Sequence, residues 1–347
     1  MKLNIKSTIC TVVLIFILYG LFVHSAYARR MHNIFDFNRM PEDFQQLREV
    51  LLKIEEFIPR IQFEQKFLDS PKDLDFVLGK MKENGITPEF ILDFYRLVEG
   101  IETAASEKLN TTIKTDRIFF KPIGNNAEAS LVSISDSGKI SLYRIEQDDF
   151  KNKDNVSVLI FNLEYLFDAY NITGGQYKEA LKALIAHELG HNLSDVETTG
   201  DSIRQMQSGF NSRYTSIMLS NPSPHNDKFP IGFVMNRLNE IIADTIAAQL
   251  TGLEAMRARD RFEGATVGRS YYLLQPFLDA APRSYMTVYD AWRIAKARFL
   301  GLDDIADVIR KQLYMSNSIS EHREAFQQLV EYFNSCFKYW GLNIPGG

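Results

Sequence analysis

His187-Glu188-Leu189-Gly190-His191 places two histidines one helical turn apart, with a glutamate directly after the first. On an α-helix, positions i and i+4 lie on the same face, so both imidazoles can reach one metal ion. Glu188 points to the side of that face, where it can contact a metal-bound water without ligating the metal. This pattern is typical of zinc-assisted peptide hydrolysis, and it predicts His187 and His191 as zinc (Zn2+) ligands and Glu188 as the catalytic residue.

A catalytic zinc site needs a third protein ligand and one open position. Glu240 lies on a second predicted helix, 49 positions after His191, and Asp244 follows one turn later on the same stripe of small residues. We predict that Glu240 binds the metal. Asp244 would accept the second ring N–H of a histidine, which fixes the tautomer of that ring. The alternative for both carboxylates is a solvated acidic face.

Two other residues after the motif are alternative ligands. Glu197 lies six positions after His191, at the spacing of a longer zinc motif, but Ser194 stands where the turn of that motif needs glycine. His225 lies in a proline-rich loop. It would bind a transition-state oxygen or occupy the open metal position, or else it is a surface histidine of the loop.

The N-terminus has the pattern of a secretory signal. Lys2 and Lys6 precede an apolar run of 15 residues, Ile9 to Val23, which is short for a membrane span. Ala26-Tyr27-Ala28 then offers small residues to signal peptidase. We expect cleavage after Ala28 and a periplasmic or secreted protein. The alternative is an uncleaved signal anchor, which would hold the protein at a membrane.

Charge and cysteine content exclude some classes of partner and fold. The formal net charge is -5, and removal of the two lysines of the signal makes it -7, with no basic block anywhere. This balance argues against a nucleic-acid partner. Cys336 is the only cysteine after the signal, so no intramolecular disulfide can form. A hydrophobic content of 45% supports a large core instead.

The chain resembles the gluzincin metallopeptidases, specifically the HtpX-like and CAAX prenyl protease-like group, over roughly residues 156 to 252. In that group, H-E-x-G-H is followed tens of residues later by a helix with Glu, then Asp four positions on, then alanine-rich sequence. The resemblance implies that His187, His191 and Glu240 are the three zinc ligands. It also implies that Glu188 is the general base and that Asp244 is a carboxylate beside the ligands.

The same group often carries a histidine, then an arginine, near its C-terminal end. Ser320-Glu321-His322-Arg323 is the matching stretch of this chain, although the arginine follows the histidine directly. The alternative for His322 is a surface residue at the start of a helix.

Hydrophobic periodicity divides the chain into four regions. These are a signal peptide at 1–28, an N-terminal helical region at 29–115, a zincin-like catalytic core at 116–255 and a C-terminal helical region at 256–347. In the N-terminal region, Asp69-Ser70-Pro71 predicts the start of a helix and Asn84-Gly85 predicts its end.

The catalytic core begins with short β-branched and apolar runs, which predict strands. The four runs are Arg117–Lys121, Ser130–Ser135, Lys139–Ile145 and Val156–Phe161, with a hairpin turn predicted at Asp136-Ser137-Gly138. The predicted fold is therefore α+β and mostly helical. A small, mostly antiparallel sheet would lie above the H-E-x-x-H helix.

Together these features predict a secreted or periplasmic zinc-dependent metalloendopeptidase. It would hydrolyse peptide bonds of a protein or peptide substrate by a zinc-activated water, with Glu188 as general base. Two other interpretations stay open. One is a metal-bound, non-catalytic binding or chaperone protein on a protease scaffold, which would not need Glu188. The other is a helical structural protein in which the motif is accidental.

Overall fold

The structure is a computed structural model, and it describes residues 36–109, 115–124, 127–133, 155–194, 240, 243–263, 283–315 and 323–339, with Ser212 and Ser216. Several predicted features lie outside these ranges: the signal peptide, the hairpin turn at 136–138, the strand at 139–145, Glu197, His225 and His322. Within the described ranges, no helix is both long and apolar enough to cross a membrane.

The first part of the chain is helical, as its periodicity predicts. Its helices are α1 (Phe44–Phe57), the short α2 (Gln65–Leu68), α3 (Pro71–Asn84) and α4 (Glu89–Leu109). Capping residues fix their ends. The Ser70 side chain accepts a hydrogen bond from the backbone N–H of Asp73 at 3.3 Å. Gly85 ends α3 at a φ of 64°, which a glycine adopts without steric cost. Both predicted ends of α3 are confirmed.

The sheet has four strands among the described residues. They are β1 (Ile61–Phe63), β2 (Arg117–Lys121), β3 (Ala127–Ser133) and β4 (Asn155–Asn162), in the order β1-β2-β4-β3. β1 pairs with β2 in parallel, with Ile61 opposite Ile118, and β2 pairs with β4 in parallel, with Phe120 opposite Phe161. β3 runs antiparallel to β4.

The prediction of a mostly antiparallel sheet is wrong, because two of these three pairings are parallel. β1 is only three residues long, too short for its sequence to stand out as a strand. It is joined to β2 through α2, α3 and α4, and such a crossover is the connection that a parallel pair requires. The pairing of β3 with β4 is the one antiparallel pairing among the described strands, and the hairpin predicted at 136–138 is not tested by it.

The second part of the chain is again helical. It contains α5 (Leu163–Thr173), α6 (Tyr177–Ser194), α7 (243–251), α8 (253–263), α9 (Arg283–Phe299), α10 (Asp303–Met315) and α11 (Arg323–Tyr339). The H-E-x-x-H motif lies on α6, and α9 packs against α10 and α11. The molecule is thus mostly helical with one small sheet, as predicted.

One hydrophobic core joins all of these elements. Its buried side chains extend along the chain from Phe37 to Phe333 and include Leu184 and Leu189 of α6. α6 packs against α4, α5, β3 and β4, so the motif helix lies inside the fold. Lys108 of α4 donates to two backbone carbonyls at the end of α7, at 3.1 and 3.0 Å. The N-terminal helices therefore support the elements that carry the candidate site.

Candidate metal centre

The two histidines of the motif turn their Nε2 atoms toward one another. His187 and His191 are one turn apart on α6, and their Nε2 atoms are 3.1 Å apart. The ring planes stand nearly perpendicular, at 89°, with centroids 4.7 Å apart. Two nitrogen donors thus face the same small volume at the surface of α6, as the i, i+4 spacing predicts.

Gly190 lets α7 approach this turn of α6. A Cβ atom at position 190 would lie 2.8 Å from Cα and 3.1 Å from the carbonyl oxygen of Ala243. Contacts this short with backbone atoms are sterically forbidden, so glycine at 190 permits the helices to pack at this distance. The glycine of the motif therefore brings the residues near Ala243 to the histidines.

Glu240 supplies the third donor. Its Oε2 lies 3.3 Å from Nε2 of His187, and its Oε1 lies 3.7 Å from Nε2 of His191. The ligand atoms of these three residues all lie within 4.8 Å of one another. Nitrogen and oxygen ligands about 2.0–2.2 Å from a tetrahedral ion are roughly 3.3–3.6 Å apart. The observed spacings of 3.1, 3.3 and 3.7 Å lie in or close to that range, so this trio could hold a metal ion.

Asp244 lies behind His187, on the side away from the shared volume. Its Oδ1 is 2.7 Å from Nδ1 of His187, and both side chains are almost completely buried. When Nδ1 carries the proton and donates to this carboxylate, the lone pair of Nε2 faces the volume shared with His191 and Glu240. This carboxylate–histidine pair is the arrangement that orients histidine ligands in metal sites.

Asp244 is held in turn by two buried cations. Arg259 of α8 donates from Nη1 to Asp244 Oδ1 at 2.8 Å, and Nζ of Lys296 on α9 lies 3.3 Å from Oδ2. Burial by itself would raise the pKa of the Asp244 carboxyl. Lys296 and Arg259, together with His187, outweigh burial and hold that pKa well below its usual range. Asp244 is therefore a carboxylate, which can only accept hydrogen bonds.

Glu188, the residue between the histidines, is also buried, with 6% of its surface exposed. Burial raises the pKa of its carboxyl to about 7, although the positive charges of His187 and Arg259 oppose the shift. A carboxyl group with a pKa close to neutrality is suited to take up and release a proton at ordinary pH.

The three candidate ligands differ in their own proton affinities. Burial lowers the pKa of His191 to about 4, and the neighbouring His187 lowers it further. Burial also acts to lower the pKa of His187, as does Arg259, but Asp244 and Glu240 together outweigh both and raise it to about 9. Burial would raise the pKa of Glu240, yet the hydrogen bond and charge of His187 bring it to about 2. Near neutral pH the metal-free trio therefore consists of a cationic His187, a neutral His191 and an ionised Glu240.

The site is open on one side. The His187 side chain is 4% exposed, whereas those of His191 and Glu240 are 21% and 31% exposed. A structural metal site is closed by its protein ligands, whereas a catalytic site keeps a position accessible to water or substrate. Solvent can reach this trio from the side of His191 and Glu240.

The charged residues around Asp244 have no pattern in the sequence that predicts their role. Arg259, Asp260, Glu263 and Lys296 are charged residues on predicted helices, and charge on a helix normally indicates a solvated face. The neighbours of Lys296 indicate that it is buried, because Ile294, Ala295 and Ala297 place it in an apolar stretch. Nothing in that stretch says which element it packs against.

Comparisons with protein-family models, with curated proteins and with solved structures found no match for this chain. The geometry of the site and its chemistry carry the functional argument.

Proposed function

We propose that this protein is a zinc-dependent metalloendopeptidase of the gluzincin type. The observation that carries the proposal is the convergence of His187 Nε2, His191 Nε2 and the Glu240 carboxylate, with Glu188 in the same turn of α6. Glu240, 49 positions after His191 in the sequence, joins the two histidines of α6 to complete a two-nitrogen, one-carboxylate donor set. Glu188, the proposed general base, directly follows the first of the two histidines.

Zinc is the metal that this donor set favours. Two imidazoles and one carboxylate form a common catalytic zinc site, and they leave the fourth position of a tetrahedral ion open. Calcium and magnesium prefer sites made of oxygen ligands, which this trio does not offer. The partial exposure of His191 and Glu240 is in keeping with an open position rather than with a closed structural site.

When bound, zinc supplies Lewis acidity that makes water nucleophilic near neutral pH and polarises the scissile carbonyl. Glu188 takes a proton from the attacking water as the water oxygen forms its bond to the carbonyl carbon. The same carboxyl then delivers the proton to the amine nitrogen as the C–N bond breaks. Asp244 keeps the proton of His187 on Nδ1, so that Nε2 stays available as a ligand.

The substrate would reach the site from the side of His191 and Glu240, because His187 and Glu188 are buried. We further propose export from the cytoplasm to the periplasm or the exterior, on the evidence of the apolar run at Ile9–Val23 and of Ala26-Tyr27-Ala28. The substrate class is protein or peptide, and nothing in the charge pattern favours a nucleic acid.

The proposal is tested with the purified wild-type protein, Glu188→Gln, and His187→Ala/His191→Ala. Zinc content is measured by elemental analysis, and hydrolysis is measured with casein and a quenched peptide library. We expect about one zinc per chain in the wild type and in Glu188→Gln, but hydrolysis at least about 1,000-fold lower in Glu188→Gln. The double histidine variant should contain no zinc.

Two results would overturn this function. Full hydrolytic activity in Glu188→Gln would remove the general base and the mechanism with it. Zinc binding by a wild type that cleaves nothing in the library would favour a non-catalytic binding protein on a protease scaffold.

A further inference from the structure

Behind the candidate metal centre, four buried charged side chains and one partly exposed carboxylate form a cluster. This Asp244 cluster consists of Asp244 on α7, Arg259, Asp260 and Glu263 on α8, and Lys296 on α9. Nothing in the proposed chemistry uses the last four. A buried charged group must be paired to be tolerated, so each contact in this cluster affects the others.

Lys296 has the most contacts in the cluster. Its Nζ lies 2.8 Å from Asp260 Oδ1, 3.3 Å from Asp244 Oδ2 and 3.6 Å from Glu263 Oε2. The ammonium also lies 4.6 Å from the centroid of the Trp292 ring, one turn earlier on α9. The side chain is 5% exposed. A cation over an indole face and surrounded by three carboxylates has a well-defined position.

The cluster contains more carboxylates than cations. Lys296 and Arg259 face three carboxylates, those of Asp244, Asp260 and Glu263. Without Lys296, Arg259 would be the only one of these cations left for all three. Arg259 already bonds both Asp244 and Glu263, at 2.8 and 2.6 Å. Among the described residues, loss of Lys296 would therefore leave Asp244 Oδ2 without a cation and leave Arg259 to pair with all three carboxylates.

We infer that Lys296 is a positioning residue of the metal centre, acting through Asp244 on His187. Lys296 holds the Asp244 carboxylate in the orientation that receives Nδ1–H of His187, and the ring then points Nε2 at the metal. α9, which lies about 100 residues beyond the H-E-x-x-H motif in sequence, is thereby part of the site. This inference rests on the proposed function only in requiring that the trio binds a metal ion.

The test is a double-mutant cycle on zinc affinity with the full-length protein. Lys296→Met, Asp244→Asn and the double variant are titrated with zinc ion in competition with a chromophoric chelator. Mutation of a residue that orients a metal ligand costs about 10–100-fold in metal affinity, and we expect losses in that range for each single variant. The double variant should bind zinc no more than about threefold more weakly than Asp244→Asn. If Lys296 acts through Asp244, the losses of affinity from the two substitutions do not add.

Lys108→Met is the matched control. Lys108 also contacts α7, but it bonds the carbonyls of Gln249 and Leu250 at the far end of that helix from Asp244. Its loss should leave zinc affinity within about twofold of the wild type. Circular dichroism and thermal unfolding of the metal-free proteins establish that each variant is folded. Lys296→Gln replaces Lys296→Met in the cycle if the methionine variant does not fold.

The outcomes separate this inference from the proposed function. Zinc affinity of Lys296→Met within about threefold of the wild type would overturn the inference, as would full additivity in the double variant. A wild type that binds zinc but hydrolyses nothing would overturn the proposed function and leave the positioning role intact. A wild type that binds no zinc would overturn both.

Discussion

Two largely buried charge clusters can be compared among the described residues, and one of the two contacts the candidate metal centre. The Arg60 cluster consists of Arg60, Tyr95, Glu99, Glu102 and Thr115. Arg60 Nη2 donates to Glu102 Oε1 and to the Thr115 carbonyl, both at 2.6 Å. Glu102 Oε1 also accepts the backbone N–H of Thr115 at 2.7 Å. Arg60 directly precedes β1, Glu102 lies on α4 and Thr115 lies just before β2, so these bonds hold three segments of the fold together.

The Asp244 cluster is also largely buried, but it differs in contacting a histidine side chain, His187. One of its acceptors receives the Nδ1 proton of His187, and the other nitrogen of that ring faces His191 and Glu240. The Arg60 cluster ends on backbone atoms. A buried ion pair is thus not in itself evidence of a functional site. What distinguishes the Asp244 cluster is the imidazole that connects it to an accessible set of donors.

Removal of a cation from the Arg60 cluster should have the largest effect on stability. Arg60→Met leaves Glu102 buried without a cation, and we expect the free energy of unfolding to fall by about 3–5 kcal/mol. Denaturant unfolding of the metal-free protein measures this loss. Zinc affinity of the folded fraction should not change.

The control for this prediction is Arg60→Met combined with Glu102→Gln, which removes both charges and keeps an acceptor for the Thr115 N–H. Much of the lost stability should return, because no uncompensated charge remains. A clear fall in zinc affinity in Arg60→Met would mean that both clusters act on the site, and the distinction between them would be lost.

The close packing of α6 on α7 gives the next largest effect. In Gly190→Ala the new Cβ would meet Ala243 Cα at 2.8 Å, so α7 must move and carry Glu240 and Asp244 with it. We expect zinc affinity to fall, and stability to fall by about 1–3 kcal/mol. Isothermal titration with zinc and denaturant unfolding measure the two losses.

Gly100→Ala is the matched control for this change, because Gly100 lies inside α4 and a Cβ there meets no atom within 4 Å. Alanine in a helix interior is favoured over glycine, so this variant should gain about 0.5–1 kcal/mol and keep its zinc affinity. Equal changes in zinc affinity and stability in the two variants would contradict the role assigned to the close packing of α6 and α7 at Gly190.

The smallest predicted effect is the pH dependence of the Arg60 cluster. Burial, and then the hydrogen bond to Glu99 at 2.6 Å, raises the pKa of the Tyr95 hydroxyl to about 12. A raised pKa means that the contribution of Tyr95 to stability is fully present below the ordinary tyrosine pKa of about 10. That contribution is lost as the pH rises through the folded-state value.

Tyr95→Phe tests this sign directly. At neutral pH the variant should be about 0.5–1.5 kcal/mol less stable than the wild type, because it loses one hydrogen bond. The difference in unfolding free energy should shrink as the pH rises above about 10. A difference that stays constant with pH would show that the hydroxyl titrates alike in the folded and unfolded states.

Short-range sequence patterns were sufficient to predict several features of this structure. Ser70 and Gly85 set the ends of α3, and the spacing of His187 and His191 put two imidazoles on one face of a helix. Glu240 and Asp244 could be proposed as partners because a carboxylate pair at i, i+4 among small residues fits a closely packed helix. These signals depend only on neighbours within a few residues.

Other features depended on contacts between distant segments. β1 is too short for its sequence to stand out, and it became a strand through its parallel pairing with β2, so the predicted antiparallel sheet was wrong. From its residue type in the sequence, Lys296 is expected to be a solvent-exposed charged residue on a helix. It is buried because α9 packs it against three carboxylates from α7 and α8, and no local pattern records that packing.

By itself, the sequence determined which side chains are available to bind a metal and on which face of each helix they lie. The tertiary structure decided that the donors converge, because the absence of a side chain at Gly190 lets α7 approach α6 closely. It also decided which charges stand behind His187. The physical reason is that backbone propensity and periodicity act over one or two turns, whereas burial and ion pairing depend on elements brought together from across the chain.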